Sequence, residues 1–185
     1  MPTLSSLNRA TGHPVGEVPV SPVAEIPAVV ARARAAFPAW RDLGLEGRRL
    51  ALLPAGEQLL ERVDELGRLL TSEMGKPLAD ATGEVRYPAE SFAKTLDEVV
   101  AALQPEVFDQ AEHVHSEIYF EPHGVCVAIS PWNFPLMMPH WLVIPALLAG
   151  NTVVLKPSEE TPLIAQAYAE ILQANLPADV LQIVH

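Results

Sequence analysis

The sequence predicts an α/β protein in which amino-terminal helices precede a parallel-sheet unit of order β-α-β-α-β. Three stretches carry that prediction. Val125 to Ile129 is a short continuous apolar run, as expected of a strand with helices over both faces of a parallel sheet. Pro135 to Ala149 is dense in apolar residues, with Pro135 fitting the first helical turn and Gly150-Asn151 the stop. Thr152 to Leu155 is a second, β-branched strand. Thr161-Pro162 then supplies an N-cap and first helical position for a helix to about Asn175, and Val180 to Val184 is the third strand. Pro145, inside the first of these helices, predicts a kink.

Upstream, residues 1–22 are rich in Pro, Gly, Ser and Thr and read as an irregular or short-strand lead-in. Ile26, Val29, Val30, Ala33, Ala36, Phe37 and Trp40 fall on one face of a helix from about Val23 to Trp40. Helical spacing of Leu59, Val63, Leu66 and Leu70 extends to about Met74, where Gly75-Lys76-Pro77 ends it. Pro54 and Gly56 predict a kink or two separate helices at its start. A third helical region, Leu78 to Leu103, holds Tyr87-Pro88 in its middle, and its second half is amphipathic through Phe92, Leu96, Val99 and Val100. Pro105 to Pro122 breaks that pattern, and His113-Val114-His115 and Ile118-Tyr119-Phe120 suggest extended structure.

The polar residues cluster at the ends of the first two strands. Pro131 and Pro135 restrict the backbone between them, so Trp132 and Asn133 are presented from a stiff turn. The second strand delivers Lys156, Pro157, Ser158 and Glu159. Right-handed crossovers put ligands outside the carboxyl ends of such strands, so the two segments should share one crevice. Taken alone, Asn133 reads as an N-cap for the following helix, Trp132 as core, Lys156 as a solvated strand end and Glu159 as an acid placed before a helix N-terminus.

Composition narrows the partners. With 12 basic and 23 acidic side chains among 185 residues, the net charge of −11 argues against nucleic acid or an anionic membrane surface. A single cysteine, Cys126, excludes an internal disulfide framework, and within its apolar strand it reads as core. No charged-then-apolar leader opens the sequence and no apolar run is long enough to span a bilayer, so a cytoplasmic protein is expected. His113 and His115 would face the same way on a strand, but without a cysteine or carboxylate cluster they read as surface histidines rather than a metal site. No G-x-G occurs.

The run ISPWNFPLMMPHWLVIPALLAGNTVVLKPSEETPL, with NRATGHPVGEVPVS, AAFPAW and TSEMGKPLADATGE upstream, strongly resembles the NAD(P)-dependent aldehyde dehydrogenases. The match lies in their amino-terminal part and the first half of their cofactor-binding domain. The resemblance implies a fold of amino-terminal helices followed by a Rossmann-like unit, incomplete relative to the full aldehyde dehydrogenase fold. Residues 1–104 would be mainly helical, 105–122 an oligomerisation arm and 123–185 the Rossmann-like unit, with the catalytic domain absent. Tyr87-Pro88 departs from the smoother helix of the family.

The resemblance also implies roles. Asn133 would be the side-chain donor to the oxyanion formed when a thiolate attacks an aldehyde; its NH2 offers two donors without adding a charge. Lys156 and Glu159, with Ser158 between them, would hold the adenosine ribose of NAD, and Ile129, Ser130, Pro131 and Trp132 would wall the nicotinamide half. NADP is possible, although the Glu159 carboxylate favours NAD. The implied reaction runs from an aldehyde through a cysteine thiohemiacetal and thioester to the acid, in a homo-oligomer. Its nucleophile and general base belong to segments that would follow His185. The chain is therefore expected to be the front piece of such an enzyme, inactive alone. A non-catalytic nucleotide-binding or subunit-association module is the alternative. Ending on an apolar strand favours the first reading and predicts poor solubility or association.

Overall fold

The chain opens with two short strands, Thr3–Leu7 (β1) and Pro14–Pro19 (β2), paired antiparallel with Leu4 opposite Val18. The computed structural model describes residues 2–111 and 113–185. After a 3-10 turn at Val23–Glu25, α1 (Ile26–Asp42) carries Pro27 in its first turn and buries Val29, Ala33 and Trp40, three members of the expected apolar face.

Where a kink or two helices were expected, three form: α2 (Gly44–Leu52), α3 (Pro54–Glu61) and α4 (Val63–Met74). Pro54 explains the first break, because it cannot donate to the preceding turn. The second falls at Arg62, which no proline or glycine marks. Gly75 ends α4 with φ of 87°, a left-handed conformation that glycine adopts without steric cost. The next region divides into α5 (Leu78–Glu90) and α6 (Phe92–Ala102), broken at Ser91, three residues after Pro88. α4 and α5 pack closely at Gly67, where a Cβ would stand 2.6 Å from the Thr82 hydroxyl.

β3 (Glu106–Ala111) and β4 (Val114–Ile118) form an antiparallel hairpin. Val107, Phe108, Val114 and Ile118 are exposed on it, as are Tyr119 and Phe120 just beyond. His115 is engaged with Glu117.

The remaining elements are β5 (Val125–Ile129), α7 (Met137–Leu148), β6 (Thr152–Lys156), α8 (Pro162–Gln173) and β7 (Leu181–Ile183). The three strands are parallel in the order β5-β6-β7, so the expected β-α-β-α-β unit is present. α1 covers one face, packing Val29 and Ala33 on Val125, Val154 and Val184. The other face, with Ala128, Val153, Leu155 and Leu181, joins α7, α8 and the amino-terminal helices in one continuous core. Cys126 packs partly buried against that core, and burial raises its thiol pKa.

One expectation needs correction. β5 is not covered on both faces: Val127 is 60% and Ile129 68% exposed, because α1 reaches only as far as Val125. Pro135 does stand in the first turn leading into α7, where Met138 N–H donates to the Phe134 carbonyl at 2.9 Å across it; regular helix follows from Met137, with Pro145 inside. Among the described residues, no helix is long and apolar enough to cross a membrane.

α7 is held at its carboxyl end by side chains from the helical layer. Trp40 Nε1 donates to the Leu147 carbonyl at 3.0 Å, alongside the bond that carbonyl accepts from Gly150 N–H, and Arg48 Nε donates to the Leu148 carbonyl at 2.9 Å at the end of the helix. In its middle, His140 is 1% exposed, tilted against Phe92, with Nδ1 3.1 Å from the Tyr168 hydroxyl. Burial lowers its pKa to about 4.

That burial has a consequence for stability. A histidine depressed in the folded state binds its proton more readily when unfolded, so stability is full at neutral pH and falls as pH drops through the unfolded value. Between about pH 7 and about pH 5 the expected loss is about 2 kcal/mol. Burial raises the carboxyl of Glu73, which has the opposite sign: its share of stability is present at low pH and declines as pH rises above the unfolded carboxylate value. The measurement is therefore a comparison of urea unfolding at both pH values with His140→Phe. A pH dependence unchanged by the substitution would refute the assignment.

Candidate functional site at the carboxyl ends of the first two parallel strands

β5 and β6 run in register, Ile129 opposite Lys156, and the pairing continues one step further: Ser130 N–H donates to the Lys156 carbonyl at 3.1 Å. Parallel pairing thereby brings the Ser130–Asn133 segment and the Lys156–Glu159 segment together at one edge of the fold, as the crossover rule leads one to expect. Ser130 is 5% exposed and its hydroxyl has no partner among the described residues. Pro131, Trp132 and Asn133 are exposed; Trp132, read alone as core, is 53% exposed.

The Asn133 side chain makes no hydrogen bond among the described residues, and it does not cap α7. That work falls to Glu84, which projects from α5. Its Oε1 accepts from the backbone N–H of Leu136 at 3.2 Å and of Met137 at 3.3 Å. Its Oε2 is paired with Lys76, whose Nζ also donates to the Asn133 carbonyl at 3.1 Å and stands 4.1 Å from the Phe134 ring centroid.

On the second segment, Lys156 Nζ lies 3.3 Å from Glu159 Oε2, both side chains open to solvent. The Glu159 carboxyl is held below the usual carboxylate range, first by its own backbone N–H and then by Lys156. Ser158 is almost fully buried, and its Oγ accepts from the Glu160 N–H at 3.2 Å, tying the loop that follows β6. Thr161 is 1% exposed but its hydroxyl caps nothing and has no partner among the described residues. The N-terminus of α8 is capped instead by Glu73 of α4, whose two carboxylate oxygens accept from Leu163 N–H at 2.7 Å and Ile164 N–H at 2.9 Å. Arg9 pairs with Glu160 and donates to the Glu73 carbonyl. Arg9, Met74, Trp132, Glu160 and Thr161 line a cavity of about 330 Å³ between the two segments and the amino-terminal hairpin.

Glu73, Lys76 and Glu84 escaped the sequence reading, although two carried a signal. Glu73 lies in the last turn of its helix, where the dipole disfavours an acid. Glu84 falls among Ala81, Val85 and Pro88 on a buried helical face. A buried charge at such positions implies a partner, yet neither position says which one.

The profile of the aldehyde dehydrogenase family matches residues 2–185. Malonate-semialdehyde dehydrogenase 2 of Geobacillus thermodenitrificans is 42% identical over 181 residues, covering 96% of this chain and 37% of that protein. Among solved structures, NADP-dependent glyceraldehyde-3-phosphate dehydrogenase from Bacillus halodurans C-125, complexed with NADP, superposes with a TM-score of 0.90 at 30% identity, over 100% of this chain and 40% of that one. PnpE in complex with nicotinamide adenine dinucleotide superposes with a TM-score of 0.90 at 32% identity, over 99% and 38%. The chain thus spans well under half the length of the relatives it matches.

Proposed function

Because this chain belongs to the aldehyde dehydrogenase family, we propose that it carries the oxyanion donor and the ribose clamp of an enzyme oxidising an aldehyde to a carboxylic acid with NAD(P). The observation that carries this reading is the junction at Ser130 and Lys156, which sets the exposed Asn133 turn beside the exposed Lys156–Glu159 pair.

The residues present fit a dinucleotide. Lys156 donates and Glu159 accepts, which complements a vicinal ribose diol, and Ser130 offers a buried hydroxyl with no partner among the described residues. Ile129, Ser130, Pro131 and Trp132 would wall the nicotinamide half, with Ser158 bracing the loop of the clamp. When bound, the dinucleotide supplies the oxidant. Asn133 acts on the substrate: as a thiolate sulfur bonds to the aldehyde carbon, the carbonyl π pair moves onto oxygen, and the Asn133 amide donates to that oxygen. The thiolate and the base for hydrolysis are assigned to the remainder of the family fold. Cys126, inward on β5 with a raised pKa, is not the nucleophile. The exposed apolar hairpin β3–β4 is assigned to pairing with a second subunit.

Nucleotide binding tests the clamp. NMR titration of the 185-residue chain should show NAD bound more weakly than micromolar, shifting resonances of Lys156 and Glu159. Lys156→Ala should weaken binding by roughly tenfold, the size of a lost charge-assisted hydrogen bond. NADP should bind less well than NAD, because Glu159 meets the 2′-phosphate. Binding indifferent to Lys156 would discard the clamp.

A further inference from the structure

We infer that Lys76 and Glu84 are positioning residues for Asn133, gripping its turn from the helical layer; this rests on the oxyanion role proposed above. Three consecutive features of the turn are held by this one ion pair. The Asn133 carbonyl accepts from Lys76 Nζ, the Phe134 ring lies under the same ammonium, and the N–H groups of Leu136 and Met137 donate to Glu84. No other backbone group of Trp132 or Asn133 is hydrogen-bonded among the described residues. Pro131 and Pro135 restrict the two ends of the turn, but neither fixes the peptide planes between them.

The pair is itself rigidly placed. The Glu84 side chain is 2% exposed and that of Lys76 12%, so their attraction is poorly screened. Gly75 turns the chain out of α4 so that Lys76 follows directly, and the close approach of α4 and α5 at Gly67 sets the distance between their residues. An ammonium on the carbonyl of the residue carrying the donor amide fixes that peptide plane, and with it the direction of the Cα–Cβ bond of Asn133. An oxyanion donor needs such control, because its effect depends on being aimed before charge develops.

Backbone ¹⁵N relaxation of the 185-residue chain tests this. Lys76→Met should lower the order parameters of Asn133 and Phe134 from about 0.85 toward about 0.6, with β5 and β6 unchanged. Lys76→Arg should restore them, because a guanidinium can still reach both Glu84 and the carbonyl. Glu84→Gln should leave the Leu136 and Met137 amides acceptor-bonded while loosening Asn133, because the amide no longer anchors the ammonium. Rigid Asn133 in Lys76→Met, or equal loosening throughout the sheet, would overturn the inference. Unchanged turnover in Asn133→Ala of a full-length enzyme carrying the thiolate and base would remove the oxyanion role and leave the relaxation result standing.

Discussion

In a full-length enzyme that supplies the thiolate and the base, Asn133→Ala should slow aldehyde oxidation by roughly a hundredfold or more in kcat, about 3 kcal/mol of transition-state stabilisation, with the cofactor KM nearly unchanged. The direction follows from what Asn133 does in the folded chain. Its side chain makes no hydrogen bond among the described residues, and the helix after it is capped by Glu84, so alanine removes no structural hydrogen bond. The loss is then felt only where negative charge develops on oxygen. Lys156→Ala is the contrasting case, because its proposed partner is the cofactor in both ground and transition states and the penalty should appear in cofactor KM. Steady-state kinetics with the cofactor varied separates the two. Both substitutions acting only through KM would refute the division of roles.

Glu73→Ala should destabilise the fold by about 3 kcal/mol, because two N–H groups at the start of α8, one buried and one partly buried, lose their carboxylate acceptor. Thr161→Val, at the position local rules identify as the N-cap, should not destabilise the fold and should stabilise it by about 1 kcal/mol, because the buried Thr161 hydroxyl has no partner among the described residues and a methyl group removes its desolvation cost. The consequence reaches the site. α8 follows the loop carrying Lys156 and Glu159, so freeing its N-terminus should also weaken nucleotide binding. Urea unfolding of the two variants decides the matter, and a larger cost for Thr161→Val than for Glu73→Ala would reverse the assignment of the cap.

These predictions mark where sequence reading stops. The β-α-β-α-β unit was legible because each element declares itself locally: a continuous apolar run at Val125–Ile129, a β-branched one from Thr152 to Leu155, and Pro and Gly punctuation around α7 and α8. The turn bearing Asn133 was legible for the same reason, and so was the meeting of the two strand ends, since parallel crossovers have one hand. The break at Arg62 was not, having no proline or glycine to announce it. The exposure of Val127 and Ile129 also defeated local pattern, because an apolar run does not record how far the covering helix extends.

The sequence by itself determined the order of elements, the family and the residues standing at the strand ends, all of which follow from short-range pattern and motif. Only the tertiary structure decided what holds those residues. Glu73 reaches Leu163 and Ile164 across 90 and 91 positions, and Glu84 reaches Leu136 across 52. A carboxylate answers whichever orphan donors the fold brings to it, and packing, not sequence neighbours, chooses them.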